Sequence, residues 1–279
     1  MRTLDEKKIS ELVARLCIQA NRQLPEDVIR ALEAAERAEP WPSAQQSLSL
    51  LRENLDAARQ RGLPICQDTG FTCVFARLGQ DLHILGNFYE AIQEGVRQGY
   101  QRGFLRKSVV SDPLRRINTD DNTPAAVHVE LVPGDQLHIT VLPKGFGSEN
   151  MSRLAMLKPA DGLEGVRRFV LETVRAAGAN PCPPIVVGLG IGGTFDQVAA
   201  LAKQALLLPL DQSNPDPFYA ALEAELLREI NQLGIGPQGF GGQITALGLR
   251  ILTLPTHVAG LPVAVNISCH VCRRASGIL

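Results

Sequence analysis

No run of apolar residues in this 279-residue chain approaches the ~18 that a membrane-spanning helix requires. The opening Met1-Arg-Thr-Leu-Asp-Glu-Lys-Lys has no apolar signal core either. A cytoplasmic protein with no membrane partner is therefore expected. An excess of one charge is also missing. The formal net charge is -1, with acidic and basic residues interspersed, so there is neither a basic face for nucleic acid nor an acidic tail. Small molecules and protein partners remain. Internal repeats and low-complexity segments are absent. Close cysteine pairs are nearly so: of Cys17, Cys66, Cys73, Cys182, Cys269 and Cys272, only the last two have the C-x-x-C spacing. A chain of this length buries roughly three quarters of its unfolded surface and has no need of disulfide staples. In a reducing compartment such cysteines serve as thiols and metal ligands.

What is present begins with three helical patterns, Glu6 to Gln23, Pro25 to Ala38 and Ser43 to Arg61, apolar at helical spacing and separated by prolines. Cys17 continues the first apolar stripe and reads as core. After them, Phe71 to Arg77 and Leu82 to Leu85 read as strands, with Cys73 as strand filler, and Asn87 to Tyr100 as a helix. Ala126 to Val132 and Gln136 to Leu142 alternate around Pro133-Gly134-Asp135, which predicts a β-hairpin with His128 and His138 on its solvent side. Lys144 to Asn150 reads as a glycine-bearing turn running into a helix that Ser148 caps, with backbone amides able to hold an anion. Further helices are predicted over 161–177, 195–207 and 216–233, and strands from Ile185, over 244–254 and over 261–267. The expected class is mixed α/β, with helices packed on mixed or antiparallel sheets. One catalytic domain over 1–279 is expected, helical to about residue 62 and cluster-binding α/β from about 63 onward.

Chemistry concentrates in Leu63-Pro-Ile-Cys66-Gln67-Asp68-Thr69-Gly70, which places a soft metal ligand, an amide, a carboxylate and a hydroxyl on one turn between two rigid elements. The long polar segment 104–124 carries Arg106, Lys107, Arg115 and Arg116, and guanidinium binds carboxylate in a bidentate fork. Cys182 stands among Pro181, Pro183 and Pro184, which stiffen the chain around it. Thiolates suit both zinc and iron–sulfur clusters, so spacing leaves the metal open among Cys66, Cys182 and Cys269. Gly188, Gly190 and Gly193 fit G-x-G-x-x-G, a dinucleotide fingerprint. However, Pro209 argues against the second parallel strand that such a fold needs, and the glycines better serve close backbone approach.

Taken together, Ile65-Cys-Gln-Asp-Thr-Gly70, Arg106-Lys-Ser-Val-Val with Asn118-Thr-Asp-Asp-Asn-Thr-Pro124, Gly147-Ser-Glu-Asn150, Cys182-Pro-Pro with Gly188 to Thr194, Leu233-Gly-Ile-Gly-Pro-Gln-Gly239, and Asn266-Ile-Ser-Cys269-His with Arg273-Arg274 make the chain resemble the class I iron–sulfur hydro-lyases. These are the class I fumarate hydratases and the related tartrate dehydratases, and the likeness is to their α subunit. The resemblance implies a [4Fe–4S] cluster held by Cys66, Cys182 and Cys269, with one iron open to substrate. It implies Gln67, Asp68, Arg106 and Gly147 as diacid contacts, and Asp68 and His257 as catalytic groups. It implies a separate β subunit carrying the general base, a hetero-oligomer such as α2β2, and an active site at the α/β interface. Cys272 departs from the pattern and competes with Cys269 as a ligand. Reversible hydration of fumarate to (S)-malate is the first expectation and L(+)-tartrate dehydration the alternative. A non-catalytic iron–sulfur or zinc module is the alternative of another class.

Overall fold

The computed structural model describes residues 2–279 and is mixed α/β, as expected. Its contacts divide into two compact units, each assembled from separated stretches of chain. The first comprises residues up to 25, 55–146 and 273–279; the second comprises 26–54 and 147–272. The three N-terminal helical patterns are thus shared between the units. Among the described residues no helix is long and apolar enough to cross a membrane.

In the first unit, β1 (Arg2–Asp5) leads directly into α1 (Glu6–Arg22), whose N-terminus Asp5 caps by accepting the Lys7 N–H. After α3 (Pro42–Arg61) come β2 (Phe71–Gly79), β3 (Leu82–Leu85) and α4 (Phe88–Arg102), the last capped by Asn87. Next are β4 (Ala126–Val132) and β5 (Leu137–Lys144), and the chain ends on β10 (Ala275–Ile278). Four of these strands form a sheet in the order β10-β5-β2-β4, while β1 and β3 make a separate parallel pair. Period-two alternation sends Val74 and Ala76 of β2 and Leu137, Ile139 and Val141 of β5 to the face covered by α1 and α4.

The expected β4–β5 hairpin does not form. Strand β2 lies between the two, parallel to β4 and antiparallel to β5. Residues 72–76 of β2 are buried without alternation, which requires neighbours on both sides, whereas β4 is largely half-exposed and takes the edge. The turn at Pro133-Gly134-Asp135 instead wraps the end of β2: Gly79, Gln80 and Asp81 donate their N–H groups to Gln136, Val132 and Gly134. His128, expected in solvent, is half-buried and stacks on Phe75, ring centroids 4.7 Å apart. The two residues are register partners across β2 and β4.

Cys17 is fully buried in α1, and burial pushes its thiol from an ordinary 9.0 up to about 12, only partly offset by a bond with the Thr72 hydroxyl. Tyr100, on α4, is shifted upward by burial as well. A raised folded-state pKa means that folding retains the proton. Below pH 9 both states hold it and the stabilisation is complete. Between pH 9 and 12 the unfolded thiol ionises while the folded one does not, so stability falls as pH rises. Melting temperature should therefore decline across that window, and Cys17→Ala should flatten the decline. An unchanged slope in the variant would show that this thiol does not govern the alkaline limb.

The second unit contains α2 (Glu26–Ala38), β6 (Arg153–Leu157), α6 (Gly162–Ala177), β7 (Ile185–Gly192), α7 (Phe195–Ala205), α8 (Pro217–Asn231), β8 (Ala246–Leu254) and β9 (Leu261–Ser268). Between 144 and 153, where a capped helix was expected, only a four-residue turn, α5 (Phe146–Glu149), intervenes before β6. Ser148 lies inside that turn and is buried. The sheet order is β6-β9-β7-β8, with β7 parallel to β8 and antiparallel to β9. Ile185, Val187 and Leu189 of β7 share a core with α6 and α8, and the alternate positions face α7. Gly188 and Gly190 occupy that second face. A Cβ there would sit 2.1 Å from Ala202 O and 2.6 Å from Val198 O. The fingerprint-like glycines thus let α7 lie directly on β7, the close backbone approach that the sequence suggested.

Candidate active site

In the first unit, the polar turn 66–70 leaves α3 and enters β2. Ile65 is buried and donates its N–H to Asn21 O at 2.9 Å, anchoring the turn where α1 ends. Gly70 has φ +84°, and a Cβ would meet Pro143 C at 2.7 Å, so the turn lies flush on the end of β5 only with glycine there. The Tyr100 hydroxyl sits 2.8 Å from both Thr69 O and Gly70 O. Asn122, fully buried at φ +63°, donates to Gly70 O and accepts the Ser108 N–H at 2.7 Å. Asparagine tolerates that backbone region better than most residues. Tyr100 read as the end of a helix and Asn122 as part of a polar loop; no local pattern marked either as a support of the turn.

On this platform Cys66 is half-buried and Gln67 is exposed, with the Cys66 Sγ 3.5 Å from Gln67 Oε1. The Asp68 carboxylate accepts two backbone donors: Gly70 N–H at Oδ1, 2.9 Å, and Phe146 N–H at Oδ2, 3.0 Å. The Thr69 hydroxyl donates to Arg106 O at 3.0 Å, so the fold brings Arg106 beside the Gln67–Asp68 turn. Arg106, Lys107, Arg115 and Arg116 are exposed. Their loop is ordered by local bonds: Asp112 accepts the Leu114 and Arg115 N–H groups, and Val110 bridges to Asn118. Burial works to raise the Asp121 pKa, but the Thr123 N–H and hydroxyl outweigh it and hold this carboxyl below its usual range. A rigid loop of cations suits an anionic ligand.

In the second unit, Cys182 is exposed and has φ +53°, a left-handed conformation costing a non-glycine residue roughly 1–2 kcal/mol. Long-range bonds hold it there. Gln238 donates both its backbone N–H, 2.7 Å, and its side-chain amide, 2.6 Å, to Pro183 O. His270 Nδ1 donates to Cys182 O at 3.1 Å. This last bond brings the Cys182 loop next to the residue following Cys269, itself half-buried. Gly147 is exposed, and a Cβ on it would lie 3.9 Å from Asn180 O, near the same loop. His257 is exposed in the β8–β9 loop and its Nδ1 accepts the Ala259 N–H at 3.2 Å, so the neutral ring carries its proton on Nε2. Gln238 and His270 belong to quoted motifs, yet nothing in their spacing announced that they clamp Cys182.

Exposure sorts the six cysteines. Cys17, Cys73 and Cys272 are 0, 2 and 1% exposed, whereas Cys66, Cys182 and Cys269 are open to solvent in part or in full. Soft thiolates that a cofactor can reach, one of them in a constrained backbone, fit the donor chemistry of an iron–sulfur cluster. Among the described residues, no three His, Cys, Asp or Glu side chains gather around a single ion position. Three ligands of a cluster bind three different irons and stand farther apart than ligands of one ion.

Residues 10–278 match the fumarate hydratase (Fumerase) family. A Methanocaldococcus jannaschii protein, provisionally named an L(+)-tartrate dehydratase subunit alpha, is 44% identical over 275 residues, 96% of each chain. The L(+)-tartrate dehydratase subunit alpha of Escherichia coli K12 is 31% identical over 273 residues, 96% of this chain and 90% of that one. The chain belongs to the class I hydro-lyase α-subunit family. All three reachable cysteines, Cys66, Cys182 and Cys269, lie in the motifs on which the resemblance rested.

Proposed function

We propose that this chain is the α subunit of a cytoplasmic [4Fe–4S] hydro-lyase which, with a separate β subunit, reversibly adds water to fumarate to give (S)-malate. The observation that carries the reading is the contrast between three reachable cysteines, Cys66, Cys182 and Cys269, and three sealed ones. When bound on three cysteines, the cluster supplies one iron with an open position, a Lewis acid for a substrate carboxylate and hydroxyl.

The chain's own residues do the rest. Arg106 pairs with a substrate carboxylate, and the bond from the Thr69 hydroxyl to its backbone carbonyl ties its main chain to the Gln67–Asp68 turn. The Gln67 amide and Asp68 contact the diacid. With each carboxylate oxygen already accepting a backbone N–H, Asp68 also fixes the shape of the turn. Gly147 leaves the backbone open to a close substrate contact, and His257 offers an Nε2–H donor. Hydration breaks the C=C π bond and one O–H bond of water and forms a C–O bond at one carbon and a C–H bond at its neighbour. The group that delivers that proton, and removes it as general base in the reverse direction, belongs to the β subunit in this reading, within an assembly such as α2β2.

The relatives' names favour a second reading, dehydration of L(+)-tartrate. Turnover of malate, fumarate and L(+)-tartrate by the anaerobically reconstituted αβ complex separates the two. Malate–fumarate interconversion exceeding tartrate turnover is expected; tartrate turnover with inert malate overturns the first reading. A complex that carries a full cluster yet hydrates no diacid points to a non-catalytic module instead.

A further inference from the structure

Arg273 is 3% exposed, although it is the longest cationic side chain type and stands four positions after Cys269 in sequence. Its Nε donates to Pro143 O at 3.0 Å and its Nη2 to Asp68 O. Its Nη1 is buried without a hydrogen-bond partner among the described residues, and no carboxylate forms an ion pair with it there. A buried charge without a counter-ion is costly, so a packing role alone does not account for it. The two carbonyls it grips belong to the functional turn and to the strand end on which that turn rests.

We propose that Arg273 is a positioning residue of the diacid site, an inference that rests on the function proposed above. The guanidinium is planar and presents its donors in a rigid fork, so it sets the distance and angle between the Cys66–Asp68 turn and the end of β5. Phe146 N–H, which holds the Asp68 carboxylate, follows Pro143 by three residues. One side chain therefore fixes the turn by its backbone at the same place where that carboxylate is fixed by a backbone donor. The Gln67 amide and the Asp68 carboxylate keep their aim only while this tether holds. The remaining Nη1 donors place unneutralised positive charge beside a turn that is to hold an anionic ligand.

Lysine at this position keeps the charge but, as a point donor, cannot span both carbonyls. The test uses the anaerobically reconstituted αβ complex with the parent chain, Arg273→Lys and Arg273→Met. Iron and sulfide per chain, melting temperature, KM and kcat for malate, and hydrogen exchange of the peptide covering 62–72 are measured. Arg273→Lys should keep its iron and melt within a few degrees of the parent. Its KM should rise about tenfold and its kcat/KM fall about a hundredfold, the usual cost of an ångström-scale misplacement. Exchange over 66–70 should accelerate while that of β7 does not. Parent-like KM and exchange in Arg273→Lys overturn the proposal. So does a loss confined to kcat that merely tracks the fraction of folded, iron-loaded protein. Exchange needs no substrate, so it judges the tether even if the parent complex turns over no diacid, an outcome that defeats the functional reading instead. Should Arg273→Met fail to fold, the lysine variant still decides.

Discussion

Alanine at Cys66, Cys182 or Cys269 is expected to empty the αβ complex of iron and to lower fumarate hydration by about a thousandfold or more, whereas alanine at Cys17, Cys73 or Cys272 leaves iron per chain at the parent level. Lewis-acid stabilisation of developing charge is worth several kcal/mol, and each ~1.4 kcal/mol is tenfold in rate. The comparison has a built-in control for folding. Removing the buried thiols costs stability, because Cys17 and Cys272 are sealed in packed surroundings, but spares the cofactor. Removing the reachable ones does the reverse. Cys182 sharpens the contrast. At φ +53° a glycine relieves strain that a side chain incurs, so Cys182→Gly should melt no lower than the parent stripped of its iron while binding no cluster. Retention of full iron by Cys182→Gly, or its loss in Cys272→Ala, would assign the ligands differently.

The same contrast explains what the sequence disclosed and what it withheld. The α1 and α4 stripes were legible because the 3.6 period is local, and the observed ends fall within two residues of the expected ones. The short strands β1, β6 and β10 were not read, although β3, equally short, was: its Leu82-His-Ile-Leu85 is apolar and set between turns, whereas the other three adjoin a helix, a turn or the chain end. The β4–β5 alternation was read correctly as two strands and wrongly as a pair. Pairing is a long-range property, and β2, remote in sequence, outcompeted the local turn. At the site, the identities of Cys66, Gln67, Asp68 and Arg106 stood in the motifs. What fixes them did not: Tyr100, Asn122 and Arg273 act across 30, 52 and 205 residues. Residues that do chemistry advertise themselves by type, while those that aim them are recognisable only from contacts.

The largest expected loss of stability lies in the second unit, at the ion pair joining α8 to β8. Glu223 Oε2 meets Arg250 Nη1 at 2.7 Å with both side chains 8% exposed, and Glu223 Oε1 accepts the Ile251 N–H at 2.8 Å and the Asn214 amide at 3.1 Å. Glu223→Leu removes every one of these acceptors. It leaves a guanidinium buried without compensation, about 3–5 kcal/mol, and orphans a strand N–H, about 1–3 kcal/mol. Glu223→Gln keeps an acceptor for Ile251 and should lose less. The double variant Glu223→Leu/Arg250→Met should recover much of the loss, because burial charges two ions for desolvation that apolar side chains avoid. Urea unfolding of the three variants measures this, with the midpoint shifting and the slope unchanged if the folded state alone is affected. Since a buried pair is poorly screened, added salt should leave the differences nearly constant. A Glu223→Leu cost below about 1 kcal/mol would mean that water or rearrangement satisfies Arg250, and that α8 is held on the sheet by the apolar contacts of Leu222, Leu226 and Ile230 rather than by this pair.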